Sequence, residues 1–190
     1  MSTPRLCVIG SFGVAMLAGL LVGMGGCRHQ GRTTGASMAV VSAPDSVHKA
    51  AFDRLASLSG TWQNLDVNGK PTGTVEFAMS SNKSCVREIM FPGTAHEMTN
   101  MYTLDGPDLM VTHYCAMGNQ PHMRATKVEA NRIVFDIVSV SNMRAEKELV
   151  MGHLTVDFTD ENHITQTWRT LTKGEQAMEP TIITLQRVGS

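Results

Sequence analysis

Between His96 and Met123 the chain reads HEMTNMYTLDGPDLMVTHYCAMGNQPHM, with three of the seven histidines, both tyrosines and one of the four cysteines. Imidazole, phenol, thiol and amide groups gathered this densely can hydrogen-bond a small ligand, hold a metal ion or move a proton. The element that must position them is a β-hairpin, because Asp105-Gly106-Pro107-Asp108 is turn chemistry between two alternating runs. If the loop pairs Leu104 with Leu109, Tyr102 lies opposite Val111, Asn100 opposite His113, Met98 opposite Cys115 and His96 opposite Met117. Side chains alternate with period two, so these residues share one face, while Glu97, Thr99, Met101, Thr103, Met110, Thr112, Tyr114 and Ala116 share the other. A structural core has no need of His96, Asn100, Tyr102, His113 and Cys115, whereas the lining of a binding cavity does. A slip of one residue would swap the faces and dissolve the cluster.

The preceding segment adds a carboxylate. If Ser80–Lys83 is a turn, Val75, Phe77 and Met79 share a face with Val86, Glu88 and Met90, and Glu88 points inward. A one-residue bulge would instead return Glu88 to solvent and turn Ile89 and Phe91 inward. His96, His113, Cys115 and Glu88 are ligand types that suit a transition metal. Four residues of strand separate His113 from the His96 end, about 13 Å by strand rise, so joint chelation needs a bulge. His122 could approach His96 at that rim. His113 with Tyr102 or Glu88 could form an acid–base pair, and Cys115 shares its face with His113. No nucleophile elbow, phosphate loop or His-Glu-x-x-His zinc motif occurs, and a buried cysteine is usually a small hydrophobe. The balance of these features is against catalysis.

The elements around the hairpin read almost entirely as strand. Runs near 61–66, 73–79, 84–91, 96–104, 109–117, 122–129, 132–139, 148–158, 163–172 and 181–188 are separated by short Gly, Asn, Asp and Pro breaks. A meander this long removes its edges most simply by closing. The expected fold is all-β, a closed antiparallel up-and-down barrel of about ten strands with a short N-terminal helix. That helix follows Pro44, is capped by Asp45 or Ser46 and runs to about Leu58, with Val47, Ala51, Leu55 and Leu58 on one stripe. Met143–Lys147 is a charged interruption with room for a helical turn.

Gly60-Thr61-Trp62, entering the first strand behind a short helix, resembles the Gly-x-Trp opening of lipocalins and related calycin barrels. The resemblance covers roughly 46–188. It implies that Trp62 packs at a closed end beneath an arginine from the final strand, with Arg187 the matching residue and Arg169 the runner-up. Gly60, Trp62 and Arg187 are thereby expected to be structural. Tyr102–Gly106 and Thr112–Pro121 are also similar to uncharacterised secreted bacterial lipocalin-like domains, a likeness that implies fold and location but no activity.

The front of the chain has a separate logic. Arg5, an apolar run from Leu6 to Val22 and Gly25-Gly26 before Cys27 describe a lipoprotein-type signal peptide over 1–26. Gly25-Gly26-Cys27 resembles a bacterial lipobox, which would make Cys27 the lipidated N-terminus; a cleaved secretory peptide or an uncleaved anchor is the alternative. Residues 27–45 are small, polar and turn-prone, a flexible tether to a lipocalin-like barrel over 46–190. Arg28 in place of Asp favours the outer membrane over the inner, on the periplasmic face. Net charge of −1 with scattered cations offers no basic stripe for nucleic acid. Cys85 and Cys115 remain in the folded part, two strands apart and on opposite faces.

The function expected is a lipid-anchored periplasmic barrel that binds a small, largely apolar ligand in its lumen, with His96, Asn100, Tyr102, His113, Cys115 and Glu88 lining the site. The 14 methionines suit an adaptable cavity or ordinary core filling. The alternative is a haem- or metal-binding barrel using His113 or His96. The sequence leaves the cofactor unknown, and a small-molecule enzyme stands as a third option.

Overall fold

Asp45 caps the first helix. Its Oδ1 accepts hydrogen bonds from the N–H groups of Val47 (2.8 Å) and His48 (3.4 Å), capping helix α1 over Ser46–Ala56. The structure, a computed structural model, describes residues 44–189; the expected signal peptide, Cys27 and all of the tether before Pro44 lie outside the described residues. The helix buries Ala51, Phe52 and Leu55, with Leu58 just beyond its end, whereas Val47 is 52% exposed. The apolar stripe is therefore shifted from the expected one, with Phe52 taking the place of Val47. The first turn is held by polar contacts instead: His48 Nδ1 donates to the carbonyl of Pro107 at 2.7 Å.

Eleven strands follow: β1 Gly60–Leu65, β2 Pro71–Ser80, β3 Cys85–Met90, β4 Met98–Asp105, β5 Asp108–Tyr114, β6 Gln120–Glu129, β7 Arg132–Ser141, β8 Val150–Phe158, β9 His163–Thr172, β10 Glu175–Gln176 and β11 Thr181–Arg187. Neighbours from β1 to β9 pair antiparallel in chain order, β11 pairs with both β9 and β1, and ten strands close into a barrel. The two-residue β10 only extends the sheet beside the end of β9. Closure gives each of the ten a paired neighbour on both sides, with β7 and β8 joined only over Arg132–Asp136. The ten expected strands are all present, and residues 143–147 form a loop instead of a helical turn.

Alternation sorts the side chains. In β8, Val150, Gly152, Leu154, Val156 and Phe158 are buried while Met151, His153, Thr155 and Asp157 face outward, half-buried, so one side of the strand meets the core and the other approaches water. The same rule puts Trp62, Phe77, Val86, Val111, Met123, Phe135, Trp168 and Leu185 inside, each 3% exposed or less. Each such side chain contributes roughly 1.5–3 kcal/mol relative to exposure. Helix α1 lies across one end, near the turns of β2–β3 and β4–β5. At the other end lie the β3–β4 and β5–β6 loops.

The hairpin register is Leu104↔Leu109, Tyr102↔Val111 and Asn100↔His113. Pairing stops at Thr99↔Tyr114, so the expected partners Met98/Cys115 and His96/Met117 do not form. The alternation that suggested them runs on past the strand ends into two loops.

Candidate functional site: a buried polar belt

Phe77 pairs with Glu88, Glu88 with Asn100, and Asn100 with His113, which sets one row across β2 to β5 at a single level of the barrel. Glu88 faces inward and is fully buried. The irregularity that could have turned it outward falls later, at Phe91, whose φ of 54° breaks the strand and whose N–H returns to the carbonyl of Thr74 at 2.8 Å. A bulky residue at positive φ is strained by about 1–3 kcal/mol. The Phe91 ring fills the space beside Gly73, where an added Cβ would lie 2.8 Å from its Cδ1.

The donors of this belt run toward the carboxylate. Glu88 Oε2 accepts from Asn100 Nδ2 and from the Tyr102 hydroxyl, each at 2.7 Å, and Oε1 accepts from Gln166 Nε2 at 2.7 Å. Trp168 Nε1, a donor only, gives its proton to Gln166 Oε1 at 3.1 Å, which fixes that amide's orientation. Asn100 is fixed likewise: its NH₂ faces the carboxylate, so its Oδ1 faces His113 Nδ1 at 2.7 Å. With Asn100 placed this way, Nδ1 carries the proton and Nε2 is the bare nitrogen. Nε2 is buried and has no partner. The His113 ring packs on Trp168 with centroids 4.7 Å apart.

Burial governs the charge states. It holds His113 down to about 4, so the ring is neutral near pH 7. It raises Glu88, against three hydrogen bonds that favour the carboxylate. Tyr102 is pushed well up by burial and by the adjacent Glu88. The belt is thus a neutral imidazole acceptor linked through one amide to a carboxyl group, enclosed by apolar side chains.

The structure gathers Glu88, Asn100, Tyr102 and His113, but neither His96 nor Cys115. His96 is exposed in the β3–β4 loop, its N–H held by the Thr94 hydroxyl at 3.2 Å. Cys115 is half-buried in the β5–β6 turn, bonding Asn119 and Gly118 through its backbone. Both left the wall because their strands end sooner than the alternation does. Cys85 and Cys115 are free thiols, each raised chiefly by burial. His122 bonds Thr112 and Ser141 on the outer side. Among the described residues no group of three or more His, Cys, Asp or Glu could hold a metal ion. Gln166 and Trp168 also belong to the belt; in the sequence their available signal is an amide alternating with Ile164 and Trp168 along one inward face.

At the helix-covered end, the Arg187 guanidinium lies 4.4 Å over the Trp62 ring and donates to the carbonyls of Ser59 (2.9 Å), Ser57 (3.1 Å) and Glu161 (3.3 Å). Trp62 Nε1 donates to Leu58 O at 2.8 Å. Gly60, at φ 134°, passes so close that a Cβ would stand 3.2 Å from the guanidinium. Arg169, the runner-up, is exposed on the outer wall. Cavities of about 650 Å³ beside Phe91 and His96, 580 Å³ beside Arg187 and 410 Å³ under α1 lie at the barrel's ends, and no member of the belt lines these three.

Fold and site together define an all-β, ten-stranded antiparallel barrel with a polar belt inside it. No family model matches the chain, and no curated protein matches it.

Proposed function

We propose that the chain is a lipocalin-like, lipid-anchored barrel of the periplasmic face, with Cys27 acylated and the closed barrel binding a small ligand. The observation that carries the binding role is His113 Nε2, a fully buried acceptor with no protein partner, held by Asn100 in one tautomer. A buried polar group left unpaired costs about 1–3 kcal/mol, and a bound molecule that donates to it recovers that cost. Met90, Trp168 and Met123 supply apolar contact for a small, largely apolar ligand. The apolar run before Gly25-Gly26-Cys27 supports the anchor and the location, with Arg28 favouring the outer membrane.

One observation favours a second reading. A ring whose Nδ1–H is held by an oxygen and whose Nε2 is bare has the arrangement of a metal-ligating histidine, so His113 would be the residue to hold a haem or metal ion, which would supply redox or gas-binding chemistry. Native mass spectrometry with an absorption spectrum on the full-length chain purified from cells separates the two. A retained organic mass without visible absorbance supports the apolar ligand. A Soret band or a stoichiometric metal replaces it with the second reading. In the first case His113→Ala weakens binding by about 1–3 kcal/mol, and in the second the chromophore is lost. Incorporation of labelled palmitate, abolished in Cys27→Ala, tests the anchor.

A further inference from the structure

We propose that the interior site selects neutral ligands carrying a hydrogen-bond donor, such as an alcohol, phenol or amide N–H, and discriminates against carboxylates. This deepens the small-molecule reading and rests on it. The argument is one of direction. Trp168 can only donate, which orients Gln166; the shared carboxylate orients Asn100; Asn100 orients His113. The hydrogen bonds of the belt all end on protein acceptors, and its one polar atom with no partner at all, His113 Nε2, can only accept.

Charge points the same way. Glu88 is the one charged side-chain type among the buried residues described, with no buried lysine or arginine to offset it. An entering carboxylate would lose its water, meet no cation, face an imidazole nitrogen that can only accept, and approach a site that already holds an acid group. Protonating His113 to receive the anion is opposed by the burial that keeps the ring neutral. A neutral donor meets none of these obstacles. On the side of the belt away from α1 stand Met90, whose sulfur lies 3.5 Å from Asn100 Nδ2, and the half-buried Met98, two unbranched side chains able to change rotamer.

Three probes with one apolar body isolate the property: naphthalene, 2-naphthol and 2-naphthoate, titrated near neutral pH into the full-length chain in nanodiscs, with empty nanodiscs as the blank. The expected result is 2-naphthol binding about tenfold more tightly than naphthalene, with 2-naphthoate weakest. His113→Phe should close the gap between naphthol and naphthalene. On the unaltered chain, the ¹⁵N resonance of His113 Nε2 should shift when 2-naphthol is added while Nδ1 stays protonated, a readout independent of whether the variant folds. Equal affinities for naphthol and naphthalene, a preference for naphthoate, or an unmoved Nε2 resonance would overturn the proposal and leave the binding reading standing. If none of the three binds, the reading of the interior as a small-molecule site falls, and the selectivity falls with it.

Discussion

The helix-covered end and the polar belt are both buried, both aromatic and both hydrogen-bonded, yet their accounts close differently. Around Trp62 the indole N–H meets Leu58, the ring face meets Arg187, and the guanidinium meets three carbonyls. Around Glu88 the bonds are as short, but the chain of donors stops at a nitrogen with nothing to accept from. Packing and capping explain the first region completely. The second keeps an unpaired acceptor that an apolar residue of similar size would avoid, and such departures from self-consistency concentrate where a protein meets something else.

The contrast can be broken by substitution. Trp62→Ala should cost about 3–5 kcal/mol in urea unfolding, the largest effect, because it empties the closed end and strands Arg187. Next comes pH. His113 is held below its ordinary value, so its contribution is complete above pH 6.5 and is lost as pH falls toward about 4, a loss on the order of 3 kcal/mol. Glu88 is raised, so its contribution has the opposite sign, greatest below the ordinary value of 4.5 and lost as pH rises through the folded-state value. Urea midpoints between pH 4 and 7 should therefore steepen downward with rising pH in His113→Phe, which removes only the first term; an unchanged profile would contradict a neutral buried ring. Arg187→Ala should cost about 1–2 kcal/mol, since the lost cation–π contact is partly replaced by water on the freed carbonyls, and should leave ligand affinity unaltered. Lys49→Ala, which removes an exposed i,i+4 pair with Asp53, should change stability by no more than about 0.5 kcal/mol.

The sequence carried more of the frame than of the site's limits. The hairpin register was readable because Asp105–Asp108 fixes the turn and both arms alternate, and the ten strands were readable from their breaks. Asn100, Tyr102 and His113 followed from that register. Glu88 could not be decided, because inward and outward placements differ by one bulged residue, and the irregularity that settles it depends on how Phe91 seats against Gly73. His96 and Cys115 were placed in the wall because polar alternation continues through residues whose backbone already turns. Bulges at Met123, Lys127 and His153 leave no mark in composition. Gln166 was overlooked because its partner Glu88 is 78 residues away, and neither strand announces the other.

The seam between β1 and β11 sets the order of assembly. β1 is synthesised before every other strand and receives its second neighbour only after Thr181–Arg187 exists, with the Arg187–Ser59 bond spanning 128 residues. Until then the growing sheet has two open margins, one on β1 and one on whichever strand was made last. A ribosome or translocation channel thus releases a chain that cannot finish folding while it is being threaded, and such non-local closure is slow. Losing the β11 segment would do more than trim a terminus: it would leave β9 and β1 as permanent unpaired edges, turning a self-contained fold into a template for other chains.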